Sequence, residues 1–158
     1  MRDRAHDRGH LVRGQGGYRQ RCRVVPGGSQ RVGEQGEPLA CLGLADGEAH
    51  VIRNAGGVVT DDEIRSLAIS QRLLGTEEIV LIHHTDCGML TFTDDAFKAD
   101  IEADTGIRPS WAAEAFPDLD GDVRQSIARI KASPFIPRKD SVRGFVYDVH
   151  TGKLREVA

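Results

Sequence analysis

Apolar and polar residues alternate along the chain in a way that predicts strand, helix and strand between residues 51 and 82. A short strand at residues 51–53 ends in the small, turn-forming residues of "NAGG". The next segment, "TDDEIRSLAISQRLLG", has apolar residues at helical spacing, and "EIVLI" at 78–82 is a continuous apolar run of strand length. This order predicts two parallel strands joined by a right-handed crossover.

Two of the predicted helices carry sequence signals at both ends. Thr60 and Glu63 fit a capping box at the start of the first helix, and Gly75 fits the position just past its end. The segment "TDDAFKADIEADTG" predicts a second helix that is capped by Thr93 and ended by Gly106. Both helices should therefore begin and end close to these residues.

The C-terminal third predicts one more helix and a hairpin. The segment "DVRQSIARIKAS" places Val123, Ile127 and Ile130 on one face, with Pro134 just past its end. The tail "VRGFVYDVHTGKLREV" alternates around a turn at "HTGK". Together these elements predict an α/β fold with a mainly parallel β-sheet flanked by helices.

The candidate functional residues lie at one edge of this predicted sheet. Parallel strands end at the same edge, where open α/β folds bind ligands, so "NAGG" and the following "HHTDCG" should face each other. Gly56 and Gly57 would let the backbone approach a small ligand. His84 and Cys87 offer an imidazole and a thiolate that can converge on Zn²⁺, although such a pair also fits simple packing. His83 competes with His84, but neighbouring strand residues point to opposite faces.

Composition divides the chain near residue 42. Residues 1–42 hold eight arginines, eight glycines, no lysine and four acidic residues, whereas the remainder has 13 basic and 20 acidic residues. We therefore predict a disordered, atypical Arg/Gly-rich segment at residues 1–41 and a folded domain at 42–158. An arginine-rich arm for nucleic acid is the alternative, but Tyr18 is its only aromatic residue for base stacking. Nucleic acid is not an expected partner.

Other features of the sequence indicate the cellular compartment of the protein. No apolar run approaches the length needed to span a membrane, and the N-terminus lacks the apolar region of a secretory signal. We therefore expect a cytoplasmic protein without a membrane partner. Cys22, Cys41 and Cys87 show no paired spacing, so they are interpreted as free thiols or metal ligands rather than disulfides.

Three longer segments carry a family resemblance. "AHVIRNAGG", "RSLAISQRLLGTEEIVLIHHTDCGML" and "RGFVYDVHTGKL" resemble the β-class carbonic anhydrases, in the same order, from about Leu42 to the C-terminus. The resemblance implies a carbonate dehydratase that reversibly hydrates carbon dioxide to bicarbonate by a zinc-bound hydroxide. Family members hold zinc with two cysteines and a histidine, of which His84 and Cys87 match two. Backbone near Gly56 and Gly57 would shape the substrate pocket.

The chain departs from the family at the third zinc ligand. That ligand is the cysteine of a Cys-x-Asp-x-Arg motif after an earlier strand, but residues 27–38 read "GGSQRVGEQGEP" and "RVV" at 23–25 is a poor remnant of a strand. We therefore expect the first strand to be missing or altered, and no catalytic Asp–Arg pair can be assigned. Cys41 is the candidate third ligand because it lies nearest the recognisable region. The alternative is a catalytically incomplete family member.

The origin of residues 1–41 has two explanations. A stretch rich in Arg and Gly without Lys is what an alternative frame of a GC-rich gene would encode, and a diverged N-terminus is the other possibility. The resemblance also implies a homo-oligomer, which family members build partly with N-terminal helices. An altered N-terminal segment weakens that implication for this chain.

Overall fold

A five-stranded sheet organises the part of the chain that the structure, a computed structural model, describes: residues 21–26, 42–45 and 47–158. Its strand order is β2-β1-β3-β4-β5, parallel except that β5 runs antiparallel to β4. This confirms the predicted α/β fold with a mainly parallel sheet. The strands are β1 (Arg21–Pro26), β2 (Ala49–Asn54), β3 (Glu78–His84), β4 (Val142–Tyr147) and β5 (Leu154–Glu156), and the helices are α1 (Asp61–Leu73), α2 (Asp94–Thr105) and α3 (Leu119–Ala132).

The first strand, β1, is present with an altered sequence. It lies between β2 and β3 and pairs in parallel with both, placing Pro26 opposite Asn54. The hydrophobic pattern did not reveal it because only two adjacent valines, at 24 and 25, mark the strand in the sequence. Backbone pairing on both sides needs no such pattern. A strand therefore occupies residues 21–26, within the segment for which disorder was predicted.

Local capping chemistry sets the ends of the helices, as predicted. The capping box of α1 is formed, with the backbone N–H of Thr60 donating to the Glu63 carboxylate at 3.0 Å. Gly75 follows α1 with a left-handed φ of 75°. Thr93 caps α2, and Gly106 ends it with a φ of 75°. These ends depend on neighbours in sequence, so the sequence alone could predict them.

β3 is two residues longer than predicted, so it includes His83 and ends at His84. His83 pairs with Val146 and His84 pairs with Tyr147 of β4. The predicted end of β3 at residue 82 is wrong, because the apolar run stops at the polar "HH" pair while backbone pairing with β4 continues through it. β4 and β5 form the predicted hairpin, with a connection of residues 148–153 that is longer than "HTGK".

The main core lies where α1 and α3 cover the sheet. Val123, Ile127 and Ile130 of α3 are buried, as their helical spacing predicts, and pack against buried residues of β3 and β4. No helix in the described ranges is long and apolar enough to cross a membrane. The buried residues of this core are Val59, Leu67, Ile79, Leu81, Val123, Ile127, Ile130, Ile136, Val142 and Val146.

Candidate functional site

The two predicted metal ligands lie together at the carboxyl end of β3. The side chains of His84 and Cys87 lie close enough for each to shift the pKa of the other. His84 Nδ1 donates to the Thr85 carbonyl at 2.7 Å, which leaves Nε2 as the nitrogen available to a metal. Cys87 is buried, whereas His84 is half-buried. Both groups can therefore face one bound ion.

The interaction between the side chains of His84 and Cys87 shifts the pKa of each group. It is the main cause of the raised pKa of His84. Burial raises the pKa of the Cys87 thiol, but the interaction with His84 and the hydrogen bond from the backbone of Met89 outweigh burial, and the pKa lies below its ordinary value. Because the thiolate is the form that binds metals, this shift favours Cys87 as a ligand.

The turn between β4 and β5 holds the ligand loop, residues 84–87, in place. Asp86 has a left-handed φ of 57°, which turns the chain between the two candidate ligands. The Thr85 N–H donates to the Tyr147 carbonyl at 2.9 Å, and the Thr85 hydroxyl accepts from the Val149 N–H at 3.0 Å. His150 Nε2 lies 2.7 Å from the Asp86 carboxylate. The β4–β5 hairpin therefore holds the ligand loop through hydrogen bonds to Thr85 and an ion pair with Asp86.

The glycine turn, residues 54–59, meets the segment that follows Cys87. Gly56 and Gly57 are buried and have left-handed φ values of 77° and 71°. A Cβ on Gly56 would lie 2.8 Å from Met89 Cγ and 3.3 Å from Phe116 Cε1. The two predicted facing loops are thus in contact, and only a glycine fits at position 56.

Substitution of Gly56 by alanine should cost more stability than the same change at Gly75. Both residues have nearly the same left-handed φ, but no atom lies within 4 Å of a Cβ at Gly75. We expect Gly56→Ala to lower the free energy of unfolding by about 3 kcal/mol, from backbone strain plus overpacking. For Gly75→Ala, backbone strain alone predicts about 1 kcal/mol. Urea unfolding measures both, and equal losses would contradict the contact with Met89.

An apolar cluster lies behind the two loops and includes a residue that the sequence analysis did not select. Phe116 is buried with Val58, Cys87 and Met89. Its N–H donates to the Met89 carbonyl at 3.3 Å, and its ring centroid lies 5.8 Å from that of His83. Phe116 therefore forms a wall behind the candidate ligands, although it comes from the distant connection between α2 and α3.

Asp94 fixes the backbone ahead of Phe116. Its carboxylate accepts hydrogen bonds from the N–H groups of Ala113, Glu114 and Ala115 at 2.9, 3.2 and 2.8 Å. The bond from Ala115 is the largest cause of a pKa below the ordinary aspartate value. One carboxylate at the start of α2 thus orders a connection that has no regular secondary structure.

Asp94 should make stability depend on pH in the acidic range. A lowered folded-state pKa means that ionised Asp94 stabilises the fold above its unfolded pKa of about 4, and that this stabilisation is lost as pH falls through the folded pKa. We expect the wild type to be about 1 kcal/mol more stable than Asp94→Asn at about pH 7, with the difference shrinking as pH falls through the folded-state pKa of Asp94. Urea unfolding across this range measures it. Asp100→Asn, on an exposed part of α2, is the control; a pH-independent difference for Asp94→Asn would contradict the account.

No three His, Cys, Asp or Glu side chains form a metal-binding group within the described ranges. Cys41 lies outside the described residues, so its role stays a prediction, and Cys22 lies in β1. His84 and Cys87 fit zinc in chemical type but fall short in number, because two protein ligands hold zinc poorly. No catalytic step through the metal follows from these two residues alone.

The same sheet edge also carries unsatisfied polar atoms. Asn54 Oδ1, at the end of β2, and His83 Nδ1, near the end of β3, are buried without a hydrogen-bond partner among the described residues. These strands flank β1, whose last residue, Pro26, pairs with Asn54. Both atoms therefore lie at the edge of the sheet where β1 ends.

His83 takes the place that strand alternation predicts. It is fully buried, and its Nε2 lies 2.7 Å from Asp122 Oδ2 of α3. The side chain of His84, the next residue, interacts with Cys87 instead. The two histidines thus contact different parts of the structure, and His84 is the one that lies beside Cys87.

Sequence and structure comparisons agree on the family. The chain matches the family model for carbonic anhydrase over residues 37–121. It is 69% identical to β-carbonic anhydrase 1 of Mycobacterium tuberculosis over 116 residues, which cover 73% of this chain and 71% of that protein. It is 36% identical to carbon disulfide hydrolase of Saccharolobus solfataricus over 140 residues, covering 73% of this chain and 68% of that protein.

A solved structure shows the same architecture. Carbonic anhydrase from Streptococcus mutans is similar with a TM-score of 0.79 and 42% sequence identity, covering 89% of this chain and 82% of that one. The region that matches the family model, residues 37–121, includes the glycine turn and the ligand loop with His84 and Cys87. The chain belongs to the β-carbonic anhydrase family.

Proposed function

We propose that this chain is a zinc-dependent carbonic anhydrase, which interconverts carbon dioxide and bicarbonate, with His84 and Cys87 as two of the zinc ligands. The observation that supports this most is the placement of His84 and Cys87 side by side, on the same sheet edge as the glycine turn. When bound, zinc supplies the Lewis-acid chemistry that activates water near neutral pH. A cytoplasmic location and a homo-oligomer belong to the same proposal.

The chain's own residues have separate roles in this proposal. The Thr85 carbonyl orients the imidazole of His84, and the lowered pKa of Cys87 favours its thiolate. Gly56 and Gly57 bring backbone close to the ligand loop and shape the substrate pocket. The apolar cluster behind them excludes water and suits carbon dioxide, an apolar molecule without hydrogen-bond donors.

Carbon dioxide is favoured over carbon disulfide as the substrate. The identity to a carbonic anhydrase is 69%, compared with 36% to a carbon disulfide hydrolase over a similar share of this chain. Both substrates are small, linear and apolar, so the same site could be tested with each. Carbon disulfide hydrolysis that exceeds carbon dioxide hydration would reverse this assignment.

A catalytically incomplete family member is the second candidate. It is favoured because no three metal-binding side chains come together within residues 42–45 and 47–158. Such a protein would hold zinc weakly through His84 and Cys87 and would not hydrate carbon dioxide.

Zinc content and carbon dioxide hydration, measured on the same full-length preparation after dialysis, distinguish the two candidates. One retained zinc per chain with hydration activity supports the enzyme, whereas a metal-free and inactive protein supports the incomplete member. The third ligand is then sought with Cys41→Ser and Cys22→Ser. Loss of zinc in only one of these variants identifies the ligand, and retention in both directs the search to a non-cysteine group.

A further inference from the structure

α3 carries a stripe of three polar side chains that together contact three parts of the candidate site. Asp122, Ser126 and Arg129, called here the polar stripe, are spaced four and three residues apart and so share one helical face. Asp122 and Ser126 are buried, and Arg129 is partly buried. Polar groups at such positions require partners, and all three have partners outside the helix.

The first contact reaches the end of β3. The Asp122 carboxylate accepts a hydrogen bond of 2.7 Å from His83 Nε2, and both side chains are at least nine-tenths buried. His83 directly precedes His84 on the strand. Asp122 therefore ties α3 to the backbone from which the proposed ligand His84 projects.

The second and third contacts hold the glycine turn at Val59. The Val59 N–H donates to Ser126 Oγ at 3.3 Å, and the Val59 carbonyl accepts from Arg129 Nη1 at 2.9 Å. Val59 is fully buried, so water does not replace these bonds readily. Both backbone polar groups at the end of the turn are thus satisfied by one helix.

Arg129 also fixes the connection that carries Phe116. Its Nη1 and Nη2 donate to the two carboxylate oxygens of Glu114 at 2.9 and 3.0 Å. Glu114 has a left-handed φ of 62°, which is unfavourable for this residue type, and the paired charges offset that strain. Arg129 therefore links the glycine turn to the wall behind the ligand loop.

We propose that the polar stripe of α3 is a positioning element, which sets the end of β3, the glycine turn and the Phe116 segment relative to one another. The three residues act through His83, Val59 and Glu114 and are not placed against substrate or metal. The importance of this arrangement for catalysis rests on the proposed function, whereas the positioning itself can be tested without a metal.

Hydrogen exchange of the full chain tests the positioning in Ser126→Ala, Arg129→Gln and Asp122→Asn. We expect about tenfold faster exchange at residues 56–59 in the first two variants and at residues 83–90 in the third, with wild-type exchange in α1. Arg124→Gln is the matched control, since it removes the same charge from an exposed site on α3. Unchanged exchange, or an equal increase in α1, would overturn the proposal. If the other two variants fail to fold, hydrogen exchange at residues 56–59 in Ser126→Ala, the mildest change, still tests the proposal.

Binding of Co²⁺, followed by its visible absorption, tests the consequence for the metal. We expect Asp122→Asn and Arg129→Gln to bind Co²⁺ about tenfold more weakly than Arg124→Gln does. Arg129→Lys should recover part of the affinity, since an amine can still donate to Val59. Equal Co²⁺ affinity in all variants would overturn the link to the metal site. If the wild type binds no Co²⁺, the proposed function fails, and the exchange result alone decides the positioning role.

Discussion

Replacement of Cys87 by serine is expected to abolish carbon dioxide hydration and to lower zinc affinity by more than about 100-fold. His84 and Cys87 are the two ligands proposed from the described residues, so losing either leaves one of them. A serine hydroxyl does not ionise near neutral pH and cannot replace the thiolate. Competition with a zinc chelator gives the affinity, and stopped-flow pH-indicator assays give the hydration rate.

The same loss is expected for His84→Ala. His150→Ala is the matched control, because His150 is exposed and contacts the loop only through Asp86. It should retain zinc within about threefold, as an exposed ion pair contributes little. Wild-type zinc affinity in both Cys87→Ser and His84→Ala would refute the assignment of these two ligands.

Substitution of Gly144 by alanine is expected to lower the free energy of unfolding by about 3 kcal/mol. Gly144 lies on β4 under α3, and a Cβ there would lie 2.3 Å from Val123 Cγ1 and 2.8 Å from Ile127 Cδ1. Both of these side chains belong to the buried face of α3, so the helix would have to move. Chemical denaturation measures the loss.

Gly88→Ala is the control for Gly144→Ala. Gly88 has no atom within 4 Å of a Cβ and lacks a left-handed φ, so its substitution should change stability by less than about 0.5 kcal/mol. Displacement of α3 should also speed hydrogen exchange at Val59, because the polar stripe moves with the helix. Wild-type stability of Gly144→Ala would show that α3 does not press on β4 at this point.

The parts of the fold that depend on neighbouring residues were predictable from the sequence. The capping box of α1, the left-handed glycine after it and the apolar face of α3 all rest on contacts within a few residues. The sheet edge was predictable too, since parallel strands bring the glycine turn and the ligand loop together. Strand alternation predicted that only one of His83 and His84 faces the site, and the family resemblance favoured His84.

The unpredicted parts depend on partners that are distant in sequence. β1 has a weak hydrophobic pattern and is placed by pairing with strands on both sides. In the polar stripe, the contacts of Asp122, Ser126 and Arg129 span 39, 67 and 70 residues. Polar residues beside an apolar helical face usually face solvent, so their pattern alone predicts the wrong environment. A spacing of four and three residues was the signal available in the sequence.

Zinc K-edge X-ray absorption of the zinc-loaded wild type and of Cys87→Ser tests whether His84 and Cys87 bind zinc. We expect zinc coordinated by imidazole nitrogen at about 2.0 Å and by sulfur at about 2.3 Å, with one sulfur fewer in Cys87→Ser. A shell of oxygen atoms alone, or a sulfur contribution that Cys87→Ser leaves unchanged, would contradict it.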